Sequence, residues 1–265
     1  MTEHQIPGAT ALDATALGTT ALGTTALVTG ASRGFGRAIA IALAKAGAQV
    51  VGVSRDPVKL AELRAEVGPE FIPVTADAAD PVSAGQLIDQ WRPRLLVLNA
   101  GASPLARPLP RHTWQTFSRN WEVDVQHAFN WTREALLLPL DPGSVVIAMS
   151  SGAAVAGSPL SGGYAGAKAA IRFLTRYAAE ESERADLGIR FISLLPKLTP
   201  ATDLGAAAVA AYAARDGQDV AAYLEETGPA LTAEQVGQSV LDLAVGPAND
   251  RDAYLLTPAG LTPLT

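Results

Sequence analysis

Tyr164 and Lys168 stand four residues apart in a stretch that reads as a helix, so the two side chains share a face. A phenol is a weak acid at neutral pH, and a neighbouring ammonium favours its phenolate. That pairing suits proton exchange with a carbonyl or alcohol oxygen. Taken alone, it is as readily a surface pair. The chain has only four lysines (45, 59, 168 and 197), and Lys168 lies among alanines, outside any charged run. Upstream, Ser150-Ser151-Gly152 follows a β-prone run, Ser144 to Met149. A hydroxyl at a strand end can hold a substrate oxygen beside the tyrosine. Ser151 is the preferred candidate, with Ser150 supporting the turn.

A second constellation is Gly30-Ala31-Ser32-Arg33-Gly34-Phe35-Gly36, between a β-prone run (Thr25 to Thr29) and a helical one (Arg37 to Ala46). Glycines there permit a tight turn and close approach of a pyrophosphate to free N–H groups at the helix N-terminus. The spacing is GxxxGxG; a purely structural turn is the alternative. The next strand, Gln49 to Ser54, ends in Ser54-Arg55-Asp56. A carboxylate at the strand end would suit the two ribose hydroxyls of NAD(H). Ser54, Arg55 and Arg33 instead suit a 2′-phosphate, which favours NADP(H) over NAD(H). Against this, Asp56 can pair with Arg55, or Arg55 can be a solvated loop charge. Asp77, with the Ala78 backbone, is a candidate adenine contact, or a helix cap like Asp80 before Pro81.

Composition removes the common competitors. There is no cysteine, and the three histidines (His4, His112 and His127) form no HExxH pair or ligand cluster, so no metal is expected. A Ser-His-Asp hydrolase lacks the GxSxG elbow. Twenty basic against 26 acidic residues give a net charge of −6, which argues against nucleic-acid and membrane-surface roles. No signal-peptide pattern or membrane span is read, and a cytoplasmic location is expected.

The elements that must position these residues alternate. Strands at Glu70–Thr75, Arg94–Leu98, Ile189–Leu195 and Ala253–Leu256 join those above; helices at Lys59–Val67, Pro81–Trp91, Thr113–Leu138, Ser161–Ala185 and Ala233–Val245 separate them. This predicts a Rossmann-like, doubly wound parallel sheet in three α/β/α layers. One domain spans residues 24–265, with a small helical substrate flap at about 200–232. Residues 1–23, with their ALGTT near-repeat, read as a flexible extension.

Together these residues resemble the short-chain dehydrogenase/reductase family over about residues 24–260. Thr29 to Gly36 looks like its cofactor motif and Asn99-Ala100-Gly101 like its strand-four motif. Ser151, Tyr164 and Lys168 match its catalytic set, and Asp77 its adenine contact. The resemblance implies hydride transfer between nicotinamide C4 and a carbonyl or alcohol carbon. Tyr164 would act as general acid/base and Ser151 would orient the oxygen. Lys168 would bind the nicotinamide ribose and acidify the phenol. It also implies a homotetramer or homodimer, with the two long helices at the interface.

Three positions depart from the family pattern. Asp124 stands where the family often has an Asn that bends the helix and holds a relay water; Asn120 is an alternative for that role. Leu98 replaces the first of two asparagines. After strand six, Lys197 replaces a glycine in Pro196-Lys197-Leu198-Thr199-Pro200-Ala201-Thr202, so either Thr199 or Thr202 would contact the carboxamide. The substrate walls (102–109, 153–163 and the flap) are mostly apolar, with Arg107 the one fixed charge in the first two. A small, mostly apolar carbonyl or alcohol substrate is expected. Tyr212 and Tyr223 either line the lid or pack it onto the body. The alternative functions are another net reaction on the same fold (imine reduction, dehydration or epimerisation) and a non-catalytic nucleotide sensor or scaffold.

Overall fold

A computed structural model of the chain describes residues 24–246 and 251–264. The expected extension at 1–23 lies outside the described residues. Strands β1 (Thr25–Thr29), β2 (Gln49–Ser54), β3 (Phe71–Thr75), β4 (Leu95–Leu98), β5 (Val145–Met149), β6 (Arg190–Pro196) and β7 (Ala253–Thr257) pair in parallel in the order β3-β2-β1-β4-β5-β6-β7. A final strand, β8 (Gly260–Pro263), turns back antiparallel on β7. It has no apolar alternation and was not read from the sequence.

The helices cover both faces. α1 (Gly34–Lys45), α2 (Pro57–Val67) and α10 (Ala233–Val245) close one core, through residues such as Ile39, Leu60 and Val236. α3 (Pro81–Trp91), α5 (Gln126–Leu137) and α7 (Gly162–Arg184) close the other, around Ile88, Trp131 and Ile171. In α1 the buried residues are Gly36, Ile39, Ala40 and Leu43, the narrow stripe of a helix lying on a sheet. Asp56 and Asp80 cap α2 and α3, each followed by a proline whose missing N–H would have had no helical partner. Asp56, the residue expected to compete for Arg55, therefore faces the Lys59 backbone N–H at 3.1 Å.

The stretch expected as one helix at 113–138 has three parts. α4 (Trp114–Asn120) passes into a π-helical turn, Trp121–Val125, and then into α5. A π turn inserts an extra residue and re-aims what it carries. Here it carries Asp124. The stretch expected as a flap holds α8 (Asp203–Arg215) and α9 (Val220–Thr227), capped by Thr202 and Asp219. A one-turn helix, α6 (Ala153–Ala156), follows β5 and is too short to leave a periodic signal.

Candidate active site

The order of the sheet reverses between β1 and β4, and the strand ends open there into a cleft of about 950 Å³. The glycine turn forms one end. Gly30 has φ +66°, and a Cβ on Gly36 would lie 2.2 Å from the Gly30 carbonyl oxygen, so neither position admits a side chain. Asn99 locks this turn to β4: its backbone N–H donates to Thr29 Oγ1 at 2.9 Å, and its side-chain amide to the Thr29 and Gly30 carbonyls at 3.1 and 3.3 Å. α1 begins without a side-chain cap at Arg33, so its first N–H groups face the cleft. This uncapped, side-chain-free cradle fits a dinucleotide pyrophosphate. Leu98, at the departed asparagine position, is buried in the core.

At the adenosine end Ser54 Oγ donates to Ser32 Oγ at 2.8 Å. Arg33 lies 3.7 Å from Asp203 and Arg55 3.8 Å from Asp77, all four side chains more than half exposed. Pairs that open contribute at most about 1 kcal/mol, so both guanidiniums remain available to a bound anion. Asp77 also caps its own turn, accepting from the Ala79 N–H at 3.0 Å. Sequence reasoning missed what fixes this loop. Trp131 Nε1 donates to the Ala78 carbonyl at 2.8 Å, and the Asn130 amide to Ala79 at 3.0 Å, both from α5.

The other half of the cleft brings Ser151, Tyr164, Lys168 and Asp124 together. Ser150 donates to the Lys168 carbonyl at 2.7 Å, as expected of a supporting residue; Ser151 borders the cleft beside it. Lys168 is buried. Its ammonium donates to the Met149 carbonyl at 3.1 Å, lies 3.3 Å from Asp124 Oδ2, and is 5.5 Å from the Tyr164 ring centre. Burial works to lower the Lys168 pKa, but the Asp124 and Tyr164 charges outweigh it, and the ammonium is held above its ordinary range. Asp124, also buried, accepts from the Ala102 N–H at 2.8 Å and from Asn120 at 3.4 Å. Asn120 itself donates to the Ala102 carbonyl at 2.8 Å, so it braces Asp124.

The sequence alone assigns His127 no role. It is buried one helical step beyond the π turn, borders the cleft, and has no hydrogen-bond partner at Nε2 among the described residues. Burial, and then the Lys168 charge, lower its pKa to about 3, so the ring is neutral. Only the π turn, invisible as a pattern, brings its helix face to this position.

The segment after β6 settles the two threonines differently. Thr199 is buried and donates to the Leu231 carbonyl, closing the loop. Thr202 lies on the glycine turn, its methyl 3.4 Å from where a Gly34 Cβ would sit. Lys197, in place of the family's glycine, donates to the Thr227 carbonyl at 3.3 Å and ties the end of α9 to β6. Pro196 and Leu198 border the cleft between them. Arg107 does not border it: its backbone N–H donates to Leu160 at 2.7 Å, and the charges at the substrate end come from the lid instead. Tyr212 does both things open to it. It borders the cleft, and its hydroxyl bonds to Ser158 and, at 3.4 Å, to Ser161.

A model of the short chain dehydrogenase family matches residues 24–236. The chain belongs to this family. Over 163 residues it is 31% identical to the NADPH-dependent pterin aldehyde reductase of Arabidopsis thaliana, covering 58% of this chain and 67% of that protein. It is 30% identical over 194 residues to the chloroplastic NADPH-dependent aldehyde reductase 2 of the same plant, covering 65% of this chain and 71% of that one. A 3-ketoacyl-(acyl-carrier-protein) reductase from Brucella melitensis, solved with NADH, has the same fold: TM-score 0.70, 24% identity, 84% of this chain and 91% of that one. The chemistry of this short-chain dehydrogenase is oxidoreduction at a carbonyl or alcohol carbon with a nicotinamide dinucleotide. Among the described residues, no helix is long and apolar enough to cross a membrane.

Proposed function

We propose that the protein reduces a ketone to a secondary alcohol with NADPH. The observation that carries this reading is the meeting of Tyr164, Lys168 and Ser151 in the same cleft as the side-chain-free glycine cradle.

Gly30, Gly34, Phe35 and Gly36 would hold the pyrophosphate through backbone N–H groups. Ser32, Arg33, Ser54 and Arg55 would take the 2′-phosphate, and Asp77 and Ala78 the adenine. Asn99, Ala100, Gly101, Pro196, Leu198, Thr199 and Thr202 would border the nicotinamide. Bound there, the dinucleotide supplies a hydride from nicotinamide C4 to the carbonyl carbon. Tyr164 gives its hydroxyl proton to the carbonyl oxygen, and Ser151 orients that oxygen by a hydrogen bond. Lys168 compensates the charge left on the phenolate. Asp124 positions the ammonium and keeps it protonated, the part this chain assigns to a carboxylate. NADPH would be favoured because β2 ends in Ser54 and not in a carboxylate, Asp56 caps α2, and two guanidiniums flank the position. Both Arabidopsis relatives are named for NADPH. Near the catalytic residues the walls are Ala153, Val155, Pro159, Leu198 and Ala208, suited to an apolar substrate.

A homotetramer or homodimer is part of the same reading. Trp114 and Phe129 on α4–α5 and Phe173 and Tyr177 on α7 are between 49% and 76% exposed, which supports a buried helix face between copies. Sedimentation would give a multiple of the chain mass; a monomer would contradict it.

A panel of ketones and alcohols, followed at the nicotinamide absorbance with NADPH and NADH in parallel, tests the main reading. It expects ketone-dependent NADPH consumption at least about tenfold more efficient than with NADH, as one phosphate–guanidinium contact provides. A preference for NADH overturns the assignment of Arg33 and Arg55. Substrate conversion without cofactor consumption overturns reduction in favour of a redox-neutral reaction.

A further inference from the structure

Helix α8 presents two faces. Gly205, Val209 and Ala213 are buried against the body. Leu204, Ala208, Tyr212 and Arg215 border the cleft, recurring at steps of four, four and three, so they form one stripe. The stripe is aimed by contacts at both ends. At its start, Thr202 lies against the glycine turn and Asp203 against Arg33. Near its end, Tyr212 bonds across the cleft to Ser158 and Ser161. At 1.5 Å per residue, Arg215 lies about 18 Å along the helix from Asp203. It is at the substrate end, away from the cofactor phosphates.

Arg215 also differs from the other cations of the cleft. Arg33, Arg55 and Lys168 face Asp203, Asp77 and Asp124, and Lys197 donates to the Thr227 carbonyl. Arg215 makes no hydrogen bond or ion pair among the described residues. The adjacent Asp216 does not satisfy it. Asp216 borders the cleft too but makes no ion pair with Arg215, and its charge bears on Tyr223, whose phenol is pushed up by burial and then by that carboxylate. A guanidinium without a partner at the border of the cleft offers a planar, bidentate site for a carboxylate.

We propose that Arg215 anchors a carboxylate at the far end of the substrate. The preferred substrates are then amphipathic: a ketone at Ser151 and Tyr164, an apolar chain along the α8 stripe, and an anion at Arg215. This rests on the carbonyl-reductase reading above and adds the class of substrate to it.

The test uses methyl-ketone acids of increasing length, 4-oxopentanoate to 9-oxodecanoate, and their methyl esters, with NADPH and the full chain. One length of acid is expected to exceed its ester at least about tenfold in kcat/KM, mostly through KM, with the advantage reduced at high salt. In Arg215→Gln, an exposed position, that acid-to-ester ratio collapses to within about twofold of one. Equal ratios in the two proteins, or no length at which the acid is favoured while esters are reduced, overturn the proposal. If no ketone consumes NADPH, the reductase reading fails by itself. Calorimetric binding of 9-oxodecanoate then decides the anchor: weaker binding to Arg215→Gln supports it, and equal binding overturns it.

Discussion

The floor of the cleft and its lid are built on opposite terms. In the floor, formed by β5, the π turn and α7, the groups around the ammonium are buried and held: Lys168 by Asp124 and Met149, Asp124 by Ala102 and Asn120, Ser150 by Lys168. The lid, α8 and α9, rests on few polar anchors, chiefly Tyr212 to Ser158, Thr199 to Leu231 and Lys197 to Thr227, among exposed alanines. The buried floor fixes the geometry that proton transfer needs, because an unpaired charge there is costly. The lid can change its inward side chains at little structural cost, so under the proposed function it is the place to set substrate preference.

The contrast is broken most severely at the proton donor. Tyr164→Phe should lower kcat by about 10²- to 10⁴-fold while NADPH still binds, checked by steady-state rates and cofactor fluorescence. Retained turnover would remove Tyr164 from the chemistry. The next largest effect is on stability. Asp124→Ala leaves the Lys168 ammonium buried and unpaired and should cost about 3–5 kcal/mol in chemical denaturation. Asp124→Asn keeps the shape but removes the charge that outweighs burial at Lys168. The ammonium is then lost at lower pH, and the basic limb of the reduction profile moves to lower pH. An unmoved limb would show that the carboxylate does not govern that proton.

The lid should answer more weakly. Tyr212→Phe removes one part-buried hydroxyl contact, worth about 1 kcal/mol, and should raise KM about three- to fivefold with kcat nearly unchanged. A kcat loss as large as that of Tyr164→Phe would erase the distinction between lid and floor. His127 is tested by pH, with no change in activity required. The fold holds this ring neutral down to about pH 3, while the unfolded chain protonates it near pH 6.5, so stability falls as pH drops through that window. In His127→Asn the slope of stability against pH between 6 and 4 should be shallower by up to about 1.4 kcal/mol per unit. An unchanged slope would place the acid sensitivity elsewhere.

What could be read in advance follows the same division. Strand–turn–helix order and the pairing of Tyr164 with Lys168 depend on short-range periodicity, so they were legible, as were the capping Asp80 and the supporting Ser150. The π turn was not, because one inserted residue barely perturbs a helical pattern; His127 and the bracing by Asn120 were hidden with it. Trp131 and Asn130 were hidden for another reason. Their partners lie about fifty residues away, at Ala78 and Ala79. In the alanine-rich lid the sequence showed only that short helices form. Where Thr199 and Thr202 lie depended on where the loop closes on Leu231, which no local pattern shows.

The proposed activity stands on hydride transfer from the dinucleotide to a carbonyl carbon above this floor. NADPH deuterated at the transferred C4 position, supplied with a ketone that the panel shows to be turned over, tests it most directly. One deuterium at the carbinol carbon, with one NADPH consumed per alcohol formed, is the predicted result. An alcohol without deuterium, or product formed with no cofactor oxidised, would contradict it.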